Sequence, residues 1–151
     1  MLNKPKKDGS FKFGISKADL QLLAASKLTD ATLLLRNGRH CSAYYISGYV
    51  IELALKAVIT KRIGHHTLPD LKLIQHAFSH DLDQLLTISL LRRRFEENRK
   101  DDPRLAANWA IITDWNVESR YDQIDPVRAV AMVGAVSEEP SGVFAWIRKH
   151  W

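Results

Sequence analysis

The sequence predicts an all-α protein, a four- to five-helix up-and-down bundle, and three observations carry that expectation. Long segments keep their apolar residues at the 3.6-residue period of an amphipathic helix. No stretch alternates apolar and polar residues as a half-buried strand would. Helix stops and starts, such as Asn37-Gly38 and Asp125-Pro126, punctuate the chain, and most connections are short enough to make neighbouring helices antiparallel.

Residues 1–12 hold Lys4, Lys6 and Lys7 without an apolar period and read as a flexible basic tail, followed by a single helical domain over 13–151. Ser16 is a plausible N-cap for a first helix that stops at Asn37-Gly38. The second helix, "RHCSAYYISGYVIELALKAVITKRIG", is apolar nearly all round and should lie at the centre, with Gly64 ending it after Lys61 and Arg62. Pro69 is expected to open a short helix reaching Phe78, and Ser79 to cap "HDLDQLLTISLL". "RRRFEENRKDD" reads as a polar, exposed connection. Pro103 suits the first position of the next helix, and Asp125-Pro126 starts the last, which Pro140 interrupts before "VFAWIRKHW".

With 151 residues, one domain can bury roughly two thirds of its unfolded surface. A composition of 46% hydrophobic and 26% charged residues excludes disordered, collagen-like and low-complexity classes. No apolar run is expected to reach the length of about twenty residues that crosses a bilayer, and none follows the basic start as in a secretory signal. Cys41, alone, can form no internal disulfide, so a cytoplasmic location is expected. A net charge of +5 suits phosphate-rich partners such as RNA or nucleotides. There is no glycine-rich phosphate loop, which excludes P-loop and dinucleotide folds.

In the second helix Gly48, Glu52, Lys56 and Thr60 fall on one face of an apolar rod. Glu52 before Lys56 is the favoured order for an i,i+4 pair, and an exposed stripe is the plainest account of it. Glu52 is nonetheless flanked by "YVI" and "LAL". A half-buried carboxylate needs donors, and Arg120 with Tyr121 could supply them.

"AYYISGYVIELALKAVI", "HDLDQLL", "ESRYD" and "WIRKHW", in that order, resemble the HEPN domain (higher eukaryotes and prokaryotes nucleotide-binding) over residues 16–151. The resemblance implies a helical bundle paired into a homodimer through its later helices. It also implies a toxin–antitoxin or phage-defence setting, in which many members cut RNA without metal. Those nucleases carry an Arg followed by a His after four to six residues. Arg120 takes the place of the Arg, but the positions for the His hold Asp125, Pro126 and Val127. Arg36–His40 and Arg62–His66 are one residue too close. Metal-free cleavage needs proton transfer near neutral pH, which histidine performs and a guanidinium cannot.

The expectation is therefore a module that binds RNA, a nucleotide or a partner protein without cleaving it, with Glu52, Lys56, Arg120 and Tyr121 lining a polar cleft and no cofactor. One alternative is a metal-independent ribonuclease with Arg120 and His80 as a degenerate catalytic set. Another is a dimerising scaffold for a separately encoded nucleotidyltransferase or defence partner.

Scattered histidines, His65, His66, His76 and His80, read as loop residues rather than a metal site. "RRRF" at 92–95 could contact phosphates, with Phe95 stacking on a base, but Arg92–Glu96 and Arg93–Glu97 at i,i+4 favour a salt-laced exposed face. The four tryptophans are assigned to core or dimer contacts, and Cys41 is given no catalytic role.

Overall fold

The computed structural model describes residues 14–63 and 68–151. The described residues form eight α-helices and one 3-10 turn: α1 Lys17–Arg36, α2 His40–Arg62, α3 Leu71–Ala77, α4 Leu82–Ile88, α5 Arg92–Asp101, α6 Pro103–Thr113, the turn Val117–Tyr121, α7 Pro126–Ser137 and α8 Val143–Arg148. The all-α class is observed, with α1, α2, α5, α6 and α7 each ten residues or longer.

Local capping sets most boundaries. Ser16 Oγ accepts from Asp19 N at 3.0 Å, and the Asn37 amide closes α1 on the Leu33 carbonyl. Pro103 and Pro126 occupy the first turns of α6 and α7, where a missing N–H costs nothing, and Asp102 and Asp125 cap them. The expected stop at Gly64 lies outside the described residues, as do His65 and His66; α2 reaches Arg62. Two expected starts are displaced. Asp70, not Pro69, caps α3 by accepting from Lys72 N and Leu73 N, and Asp81, not Ser79, caps α4 by accepting from Asp83 N and Gln84 N. Ser79 accepts from Asp81 N instead, holding the turn before the helix.

α2 is the hub and packs against α1, α4, α7, α8 and the 3-10 turn. By length and composition it could cross a membrane, which corrects the expectation that no apolar run is long enough; 72% of its most apolar window is buried inside the bundle. Its apolar circumference is used to build the core.

The supposed connection at residues 92–101 is the helix α5, and Phe95 explains why. Its ring is fully buried, 5.1 Å from Trp109 and 5.2 Å from Trp146 between centroids. Burying one such side chain contributes about 2–3 kcal/mol, enough to fix a helix of otherwise charged residues. Trp146 Nε1 donates to Asn98 Oδ1 at 2.9 Å and ties α8 to α5. Glu138, at the end of α7, accepts from Arg104 and from Asn108 Nδ2 of α6. Those two donors, Arg104 first, hold its carboxyl below the usual carboxylate range. Leu90 follows the α4 C-cap with φ of 61°, a left-handed conformation that favours glycine there.

Candidate functional site

The sequence places Glu52 in the middle of α2, and packing on every side of that helix leaves it 2% exposed. This overturns the picture of an exposed polar stripe. An unpaired carboxylate at such a position would cost several kcal/mol, so its partners define the local structure. Glu52 Oε1 accepts from Lys56 Nζ at 2.7 Å, one turn along the same helix. The second partner comes from 28 residues away: His80 Nδ1 lies 3.0 Å from Oε1 and 3.1 Å from Oε2.

Each residue of His80-Asp81-Leu82 has a separate task. His80 turns its ring to Glu52, Asp81 caps α4, and Leu82 enters the core at 3% exposure. An ionised carboxylate only accepts, so His80 Nδ1 carries the hydrogen. Among the described residues Nε2 is then left to accept from a ligand.

His80 also borders a groove of about 290 Å³, formed with Asp81, Leu82, Thr113, Trp115 and Asn116 between the start of α4 and the end of α6. Trp115 is fixed in its wall by donating from Nε1 to the Tyr45 carbonyl at 3.1 Å. Gly48 makes that seat possible, because a methyl group in its place would overlap the indole ring. Its place in the stripe is thus explained by close packing rather than polarity. Asn116 accepts from Glu118 N while Ser119 Oγ accepts from Asn116 N, a reciprocal cap that starts the 3-10 turn.

Arg120 and Tyr121 sit on that turn. Among the described residues they do not supply Glu52, whose partners are Lys56 and His80. The Arg120 guanidinium lies over the Tyr121 ring, 4.8 Å from its centroid, and meets Glu118 Oε1 at 3.8 Å, beyond hydrogen-bond range. Both side chains are exposed. The structure therefore joins Glu52, Lys56 and His80 in one network and leaves Arg120 and Tyr121 together on the surface.

Other sequence candidates resolve simply. His76 Nδ1 pairs with Gln84 Nε2 at 2.7 Å, and among the described residues no three His, Cys, Asp or Glu side chains gather as metal ligands. Cys41 Sγ accepts from Ile124 N at 3.4 Å. Arg92–Glu96 and Arg93–Glu97 approach at 3.8 and 3.1 Å. Trp109, Trp115 and Trp146 are core residues. Sequence reasoning missed a contact between Arg94 and His150, 56 residues apart, for which no local spacing gave a signal.

No family model matches the chain, and no curated protein or solved structure matches it either.

Proposed function

We propose that this chain is a HEPN-like helical module that binds a phosphate-bearing ligand, RNA or a nucleotide, without cleaving it. The observation that carries the proposal is the state of Arg120. Its guanidinium is exposed, braced against Tyr121, and among the described residues faced only at 3.8 Å by Glu118. A braced guanidinium with unused donors suits a phosphate oxygen pair and cannot itself shuttle protons. The same proposal has two copies pairing through the later helices. In its support, Val127 and Val130 stand exposed on α7.

A second reading has its own observation. The Glu52–His80 pair is the arrangement in which a carboxylate orients an imidazole, with Nε2 free at a groove wall to act as a general base. That would make the protein a metal-independent ribonuclease with His80 and Arg120 as its reacting groups. The test is incubation of purified protein with RNA in the presence of a chelator, wild type beside Arg120→Ala and His80→Ala. Binding without cleavage is the expected result. Cleavage by wild type that either substitution abolishes would replace the first reading with the second.

A further inference from the structure

The C-terminal end of α2 and the first turn of α5 border one cleft, roughly 15 Å along the α2 axis from Glu52. Arg62, Arg93, Arg94, Leu90 and Glu97 line a cleft of about 320 Å³ there. Arg94 Nη1 donates to His150 Nδ1 at 3.2 Å, and Lys61 Nζ donates to the Trp151 main-chain oxygen at 3.3 Å. Three separate parts of the chain are thereby drawn to one place.

The charge balance is one-sided. Arg62, Arg94 and Lys149 are exposed, and the ion pairs among the described residues assign none of them a carboxylate. Glu97 offsets only Arg93, at 3.1 Å. α5 also begins with three arginines and has no acidic residue in its first turn. Cations at that end of a helix oppose its dipole, so the helix alone gives no reason for them.

We propose that this cleft holds the phosphate backbone of a nucleic-acid strand, with Arg62 and Arg94 in its wall and Lys149, beside His150, as a third cation next to it. The inference rests on the phosphate-binding reading above and places the main contact at the end of α2 rather than at Arg120. Guanidinium forks match paired phosphate oxygens, and several cations spread over three chain segments suit a repeating charge better than a single one.

His150 gives the cleft an internal gauge. Burial, then the charges of Arg94, Lys149, Lys61 and Arg62, hold its imidazole below the ordinary 6.5. An arginine can only donate, so Nδ1 accepts and Nε2 carries the hydrogen, buried and without a partner among the described residues. A phosphate neutralising those cations would ease protonation of the ring, moving its titration upward.

The test is fluorescence anisotropy of a labelled 20-nucleotide single-stranded RNA, with ATP and polyglutamate as competitors, over 50–200 mM salt. Wild type is expected to bind RNA with a log–log salt slope of about −2, for roughly three phosphates. Arg62→Gln/Arg94→Gln should weaken binding at least about tenfold and flatten the slope by about 1.4, and Lys149→Gln should act in the same direction. Arg99→Gln, with circular dichroism confirming the fold of every variant, should bind as wild type does. Addition of RNA should raise the His150 titration midpoint seen by NMR. RNA binding lost with Arg120→Ala but intact in the cleft variants would overturn the cleft and keep the phosphate reading. Displacement by ATP without RNA affinity dependent on the cleft would do the same. No binding of RNA or ATP would remove both, and polyglutamate competing as well as RNA would reassign the cleft to acidic proteins.

Discussion

His80 reaches across 28 residues to close on Glu52, with Nδ1 3.0 and 3.1 Å from the two carboxylate oxygens. Lys56 completes the set at 2.7 Å, and the carboxylate between them is 3% exposed. The network is thus asymmetric: one partner is on the same helix, the other on the loop leading into α4.

Removing either partner leaves Glu52 buried and short of a donor. Lys56→Met should cost about 3 kcal/mol, because the full charge balance is lost in a dry position. His80→Ala should cost about 1–2 kcal/mol, since a half-exposed ring can be replaced in part by water. Urea unfolding of both singles and the double variant would give the coupling between them. Strictly additive losses would show that the two partners do not share one carboxylate.

Gly48→Ala should destabilise by about 1–3 kcal/mol, because the added methyl group must displace the Trp115 ring. Trp115 would also lose its Nε1 bond to the Tyr45 carbonyl, so tryptophan emission should shift to the red. Gly134→Ala is the control. Apart from the adjoining backbone of its own helix, no atom of the described residues lies within 4 Å of the added carbon, and α7 should gain up to about 1 kcal/mol from the better helix former. A tolerated Gly48→Ala would refute the close seat of the indole on α2.

His150 should make the protein sensitive to mild acid. Its folded value lies below 6.5, chiefly through burial and next through Arg94, so the unfolded chain takes up the proton first. The stabilisation is complete above pH 6.5 and is lost as pH falls through the folded value. Urea midpoints at pH 7.5 and 5.5 should therefore drop more for wild type than for His150→Gln. Equal drops would mean that His150 does not carry the effect.

What could be read in the sequence follows the range of the forces involved. Ser16, Asn37 and the Asp125-Pro126 step were legible because a cap acts within three or four residues. Glu52 with Lys56 was legible for the same reason. The start expected at Pro69 and the cap expected at Ser79 both fall short of Asp70 and Asp81, because adjacent residues offer similar start signals and only the turn decides which oxygen reaches the free amides. α5 was hidden because its charged residues give no apolar period; Phe95 anchors it through Trp109 and Trp146, which stand 14 and 51 residues further along the chain. His80 was singled out, but its partner was not, since no sequence pattern links residues 52 and 80.

A cylinder greasy on every side, as α2 is, has little to stop it turning about its own axis while its neighbours repack. The clasp from His80, outside the helix, supplies the missing index mark: Lys56 turns with Glu52, but only one azimuth brings that carboxylate to the imidazole. The polar network thereby selects one packing from several of similar oiliness, and it keeps the walls of the groove in register with the loop that carries the imidazole.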